Sequence, residues 1–323
     1  MTQYLIRRTF WALFLFVVAT MITYIIFFLV PSDPALLAAG RAPKPAIVAH
    51  IRHMMHLDIP FYQQYWLFVW NLVRHGSFGY SFVNGLPVRT MLGQEIPVTA
   101  SIVFGAMFMW LALAIPTGII SALRPRSFVD RAGMVFVLIG ISAPSVWIGL
   151  ILIYLISFKL GWMPINDYCN LIPTHQTGVC SGPAQWAYHL ILPWFTLAVG
   201  NAALYTRLIR ATVMETSSED YVRTAQAKGA SPRRVLVQHV LRNSMLPVVT
   251  FLGMDLGLAL GGVVFIEIVF GLPGLGQQIV QAAPRYDLPV IVGIVMFATL
   301  SVIIFNFIVD VLYAWLDPRI RLT

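Results

Sequence analysis

Residues 219–247 read EDYVRTAQAKGASPRRVLVQHVLRNSMLP. The stretch holds five Lys or Arg, two acids and a knot of Ala, Thr, Gly and Ser, in a chain that is otherwise close to oil. Of 323 residues, 59% are apolar and 11% charged, against about 25% charged in a soluble domain. That balance marks a polytopic membrane protein rather than one or two soluble domains. The stretch is an island, and the apolar runs on either side of it decide the fold.

Working outward, six runs are apolar enough to cross a bilayer, each near the ~20 residues that ~30 Å of hydrocarbon needs. They are 9–30, 99–123, 133–158, 188–206, 247–270 and 289–310. Lipid offers the backbone no hydrogen-bond partner, so each is expected to be a helix. The fold class expected is an all-α integral membrane protein with six spans. It carries a helix–turn–helix in the loop 207–246 and a helical insertion at 31–98.

Lys and Arg counts orient the chain. With the N-terminus inside, the segments 1–8, 124–132, 207–246 and 311–323 hold 14 of the 21 basic residues. Five more lie in the long 31–98 region, which counts little toward the rule, leaving Lys159 and Arg285 in the shorter outer loops 159–187 and 271–288. Both termini and the island are therefore expected on the cytoplasmic side. The net charge of +8 is dealt out between apolar runs, which argues for topology and against a nucleic-acid surface. IRRTFWALF at the start has a twin-arginine flavour, but the apolar run is too long for a signal core and PSDPALLAAG is a poor cleavage site. We expect an uncleaved first span.

The outer region 31–98 contains PAIVAHIRHMMHL and PFYQQYWLFVWNLVRH. The second has an aromatic face at helical spacing, as expected of an interfacial helix at headgroup depth, and the region is also a candidate docking face for an external partner. His50, His53 and His56 fall at i, i+3, i+6, with no Cys or carboxylate completing a set at ligand spacing, so no metal site is expected. Two cysteines are too few for a scaffold or cluster. Cys169 and Cys180 bracket a polar loop on the oxidising side, where a disulfide staple is expected.

Locally, the island reads as helix, sharp turn, helix. Thr216-Ser-Ser-Glu219 has the form of a capping box, Gly229 supplies the left-handed position that ends helices, and Ser231-Pro232 restarts one. The first helix has almost no apolar stripe. Thr224, Ala225, Gly229 and Ala230 are small enough to let another surface approach, with Arg223 and Lys228 around that contact. The shape is that of a helix made for another chain's groove.

At these residues the chain resembles a known family. DYVRTAQAKG followed by HVLRNSMLPVV is similar to the cytoplasmic coupling loop of ATP-binding-cassette importer permeases. The branch is the one importing dipeptides, oligopeptides, glutathione and nickel, in its first-permease subunit. RRTFWALFLF, LVPSDPA, HLDIPFYQQY, HGSFGYSF, LPVRTML, LGWMPI, HLILPWFTLAV, FIEIVFGLPGLG and DVLYAWLDPRIR carry the resemblance along the whole chain. Departures are mild. Ser32 stands where glycine is usual, HGSFG replaces a more acidic Gly-Asp-Leu-Gly, and the Cys169–Cys180 loop is outside the pattern. Leu246-Pro247 lies further from Gly229 than in the general importer loop, a spacing that resembles the peptide branch.

The resemblance implies a bacterial or archaeal plasma-membrane protein that pairs with a second, similar permease, two cytoplasmic ATPases and an extracytoplasmic binding protein. It implies that Asp220, Tyr221, Arg223, Thr224, Ala225, Lys228, Gly229, Ala230 and Ser231 form the ATPase-coupling element. ATP and Mg would be bound by those partners. In agreement, the chain has no G-x-x-x-x-G-K-[ST] phosphate loop, and GLPGLG near 271 has the wrong spacing. No catalytic constellation is visible, so no enzyme activity or cofactor of its own is expected. A channel or secondary transporter and a membrane enzyme are the rival readings.

Inside the spans, Asp255 and Glu267 are costly enough in lipid to need a bundle interior or a wet cavity, and with Pro144 they are candidates for the pathway. Bonds to neighbouring helix ends or to the partner permease, or a place close enough to an interface to stay hydrated, are the alternatives for both acids. Pro116 and Pro144 are kinks that serve either packing or the path. Gly253, Gly257 and Gly261 form a G-xxx-G-xxx-G stripe for close helix packing, expected to include the permease–permease interface. A short peptide is the expected cargo on family grounds, with nickel or its chelates, glutathione or a heme-like cargo behind it.

Overall fold

The computed structural model describes residues 2–29, 35–36, 44–54, 57–172 and 180–316. Among them no strand forms, only the isolated bridges Tyr80–Pro87 and Asn170–Ser181. Five helices are long and apolar enough to cross a membrane, or six if a bent pair counts as one.

Helix α1 is Thr2–Leu29. In the insertion, α2 is Pro45–Met54 and α3 is Phe61–His75. Then come α4, Val88–Leu123, and α5, Phe128–Ser142. Next, α6 is Ser145–Leu152, running on in a wider turn through Ile153–Lys159. The long α7 spans Pro183–Ser217, and α8 is Asp220–Ala227. The chain resumes as α9, Pro232–Ala259, with a wide turn at Val235–Leu241. Last are α10, Val264–Val269; α11, Leu275–Ala282; and α12, Leu288–Leu316.

The helices do not share the bounds of the sequence-derived spans, because a charge ends an apolar run without ending a helix. Runs 9–30 and 289–310 lengthen to Thr2–Leu29 and Leu288–Leu316. Helix α4 begins at Val88 rather than 99, passing through Arg89, Glu95 and Pro97, so the insertion is shorter than 31–98. Helix α7 replaces 188–206 and carries Arg207 and Arg210 within it. The run 133–158 is no straight span: its two halves meet at 98°. Ala143 sits before Pro144 with φ −86° and ψ 120°, the extended backbone that a following proline ring enforces. The run 247–270 is not one helix, since α9 starts at Pro232, takes in 232–246 and stops at Ala259. There Gly262, at φ +128°, crosses so close to Gly276 that a Cβ would lie 2.6 Å from its nitrogen.

The core sits between α4 and α7. Val103, Ala106, Trp110 and Ala114 of α4 are buried in one cluster with Ala198, Ala202, Tyr205 and Ile209 of α7. The helices approach closely because Gly105 leaves room for the Trp194 ring, which a Cβ would meet at 2.0 Å. The Trp194 indole N–H donates to the Ser101 carbonyl at 2.9 Å. Elsewhere large apolar side chains face outward, Phe108 and Leu258 being 75% and 67% exposed. Lipid makes such a surface stable where water would not.

The insertion is tied down at two places. On α3, the Tyr65 hydroxyl lies 2.9 Å from Thr20 Oγ1 of α1 and donates to Val17 O at 3.3 Å, while Tyr24 packs on the Tyr65 and Phe68 rings. The opposite face of α3 leaves Trp66 and Trp70 exposed and stacked on each other. Further on, the Asp287 carboxylate accepts from the Ser81 hydroxyl and from the Phe82 N–H at 2.9 Å. That bond fastens the 77–87 turn to the start of α12.

Candidate functional site

The polar island lies between two of the longest helices, and its local geometry follows from a few residues. The capping box expected at Thr216–Glu219 does not form. Helix α7 continues through Ser217, and the hydroxyls turn back on it: Ser217 donates to Val213 O at 2.6 Å and Ser218 to Glu215 O at 2.7 Å. Extending a helix that is already formed adds a backbone bond per residue, which competes against a cap. Helix α8 therefore starts at Asp220 with Glu219 as N-cap and no side-chain cap.

Its other end closes as the sequence suggests. Gly229 has φ +79°, its N–H donates to Gln226 O at 2.9 Å, and the Ala230 N–H donates to Ala225 O at 3.2 Å. This pair of bonds is the Schellman motif, which satisfies carbonyls left over at a helix end. Ser231 is the next N-cap, without a side-chain cap bond, and Pro232 takes the first helical position. From there the chain runs unbroken into α9.

Two faces of α8 differ. Val222 is buried to 1% exposure among Val213, Val235 and Val240, with Ala225 and Ala230 packed beside it. Tyr221 is held as well: Asn243 Nδ2 donates to its hydroxyl at 2.8 Å, and that hydroxyl donates to His239 O at 3.4 Å. Tyr221, Val222 and Ala225 thus fasten α8 to its own chain. Asp220, Arg223, Thr224, Lys228, Gly229 and Ser231 are exposed. Arg223 and Asp220 approach to 3.8 Å in the open, a pair too solvated to organise the face.

The remaining candidates are placed elsewhere. Asp255, half-buried, accepts the Tyr205 hydroxyl at 2.6 Å, joining α9 to α7. Glu267 lies beyond the end of α9, on α10, at 0% exposure. It accepts from Thr99 Oγ1 at 2.8 Å and the Gln277 N–H at 2.7 Å, while Thr99 Oγ1 accepts the Leu275 N–H. A Cβ on Gly274 would lie 2.5 Å from this carboxylate and one on Gly276 2.9 Å. The GLPGLG glycines thus wrap a carboxylate that staples the α10–α11 turn to α4. Within this chain Glu267 is fully enclosed by these contacts.

The glycine stripe does pack closely against a helix, and within this chain that helix is α12. Gly253, Gly257 and Gly261 are covered by α12 of the same chain, where added Cβ atoms would meet Val309, Val302 and Ala298. Cys169 and Cys180 are joined, with Cα atoms 4.9 Å apart. His189 lies beside them, Nε2 4.0 Å from Cys180 Sγ, but bonded sulfurs offer no thiolate to a metal. His53 Nδ1 does find a carboxylate, Asp58, at 2.7 Å; no third ligand joins them among the described residues.

Two features escaped the sequence reading. Glu95 on α4 is buried, and its Oε2 has no hydrogen-bond partner among the described residues. Asp130 on α5 is buried and accepts four hydrogen bonds. The second had a signal: Ser127 caps α5 by accepting the Asp130 N–H at 3.2 Å, and Ser-x-x-Asp is the form of an N-cap with an acid three residues on.

Comparison with known proteins bears on the whole chain. The family model described as the binding-protein-dependent transport system inner membrane component matches residues 114–322. The model for the N-terminal part of such components matches residues 1–103. The chain belongs to this family. It is a permease subunit of an ABC importer, which overturns the channel and membrane-enzyme readings. A probable peptide ABC transporter permease of Sinorhizobium fredii is 35% identical over 321 residues, covering 99% of this chain and 100% of the relative. A probable D,D-dipeptide transport permease of Escherichia coli K12 is 36% identical over 331 residues, 98% and 97% covered. The glutathione transport permease of the same strain is 35% identical over 321 residues, 99% of each covered.

Proposed function

We propose that this permease forms one half of a translocation pathway for short peptides, and that residues 219–231 are where an ATPase subunit grips it. The observation that carries the reading is the two-faced α8. One face is fastened to its own chain by Val222 and Tyr221, while the other leaves Asp220, Arg223, Thr224 and Lys228 exposed. A helix that contributes so little burial to its own fold, yet is rigidly joined to α7 and α9, is suited to being pushed. Such a push would tilt α7 and α9 and, through the glycine stripe, α12. Tilting packed helices about a central site is a standard route to alternating access.

In this reading the partners are a second permease of the same family, two cytoplasmic ATPases that bind ATP and Mg, and an extracytoplasmic binding protein. The basic-residue distribution supports a cytoplasmic location for the island and both termini. The names of the relatives favour peptide cargo, since dipeptides and glutathione share a short, amide-linked, zwitterionic backbone.

The test is affinity purification of the importer from native membranes, wild type beside Gly229→Glu and Gly229→Ala. A Cβ at Gly229 meets nothing within 4 Å, so both variants share the same backbone strain and differ in what they present to a partner. The expected outcome is that Gly229→Glu keeps the second permease and loses the ATPases, whereas Gly229→Ala retains both. Normal ATPase recovery with Gly229→Glu would overturn the assignment. Uptake of a tritiated dipeptide into proteoliposomes, driven by ATP and the binding protein, tests the cargo.

A further inference from the structure

The Phe128–Ser142 helix, α5, is held to α7 in an uneven way. The two run antiparallel. Near the bend at Pro144, Val137 is buried, and Gly140 lets α5 approach α7 so closely that a Cβ there would lie 2.8 Å from Ala203 Cβ and 3.1 Å from Val199 O. Toward the other end no side chain between Arg131 and Phe136 is buried. The next buried side chain is Asp130, seven residues from Val137, about 10 Å along a helix. Without an anchor at Asp130, α5 would be attached at one place and free to pivot there, beside a proline break that already lets the backbone bend.

Asp130 supplies that anchor through its directional bonds. Arg210 of α7 forks onto it, Nε to Oδ1 at 2.7 Å and Nη2 to Oδ2 at 3.0 Å. The Arg126 N–H donates to Oδ2 at 2.8 Å and the Ser121 hydroxyl to Oδ1. One carboxylate thus joins the end of α4, the 124–127 turn, α5 and α7. Arg210 stands ten residues before Asp220, on the part of α7 that leads into the coupling segment. Two parallel bonds from a planar guanidinium fix direction as well as distance, which a lysine ammonium does not.

We propose that Asp130 and Arg210 are positioning residues for energy coupling: their fork converts a one-point pivot into a two-point clamp. The 219–231 push then moves α5 and α7 as one body and reaches the bend at Pro144. This inference rests on the coupling role proposed above for residues 219–231.

The experiment uses the assembled importer with its second permease, ATPases and binding protein in proteoliposomes. Spin labels are placed at Phe128→Cys and Ala211→Cys, both exposed positions at the clamp end of the helix pair; the native cysteines are bonded to each other and do not react. With Asp130 and Arg210 intact, the label separation is expected to be narrow and the same with and without ATP. With Arg210→Lys or Asp130→Asn, the complex is expected to assemble and hydrolyse ATP. The label separation then broadens on ATP binding, and ATP hydrolysed per tritiated dipeptide imported rises several-fold. A merely structural pair would lower assembly, leaving that ratio and the separation in the assembled fraction unchanged, and this would overturn the proposal. Failure of Arg210→Lys to assemble at all would overturn it as well, marking the pair as a folding element. The Gly229 variants report separately on the coupling segment: its reading fails if Gly229→Glu still binds ATPases, whatever the clamp variants do.

Discussion

Gly229 and Gly257 use the same residue for opposite ends. Around Gly229 there is open space, and glycine is needed because the backbone turns left-handed at φ +79°. Gly257 sits in the regular helix α9, where glycine is needed because a Cβ would lie 2.7 Å from the Val302 backbone. The first is a demand of local conformation at an open surface. The second is a demand of packing, deep between α9 and α12. A glycine in sequence therefore says that a side chain is unwelcome, and only its surroundings say why.

The largest effect expected from this contrast is at the packed glycine. Gly257→Val pushes against backbone, which cannot rotate aside, and should cost about 3 kcal/mol or more. Thermal unfolding of the detergent-solubilised importer should drop markedly, and survival of the wild-type melting temperature would break the comparison. Next in size is Tyr205→Phe, which leaves Asp255 half-buried without the hydroxyl that serves it. A loss of about 1–3 kcal/mol is expected, and Tyr205→Phe combined with Asp255→Leu should recover part of it in the same melt. The smallest is Gly229→Ala, which pays only for left-handed backbone, about 1 kcal/mol. It should leave ATP-driven peptide uptake close to wild type, whereas a loss as large as that of Gly229→Glu would mean that the turn, rather than the space around it, governs coupling.

Much of the island was legible because it is governed by neighbours in sequence. Gly229, Ser231 and Pro232 act within a few residues, and the turn they build is the one observed. Where two local tendencies competed at Thr216–Glu219, the longer helix prevailed over the cap. Around Glu267 the sequence shows a costly acid and a glycine cluster side by side, but the donor that completes the staple, Thr99, is 168 residues away. The fork of Arg210 on Asp130 likewise spans 80 residues. No local pattern states such a pairing.

What the sequence by itself determined was the all-helical class, the apolar runs available for crossing lipid, and the single polar segment with its sharp turn. The reason is that lipid forces every backbone group to bond within its own segment, so hydropathy and turn chemistry act locally. Only the tertiary structure decided where helices start beyond their apolar cores, that the glycine stripe faces α12, that Glu267 is a staple, and that Asp130 ties three helices together. Each of these depends on which distant helix lies alongside. That choice is made by van der Waals fit and a few directional bonds between surfaces, which the order of residues along one helix does not reveal.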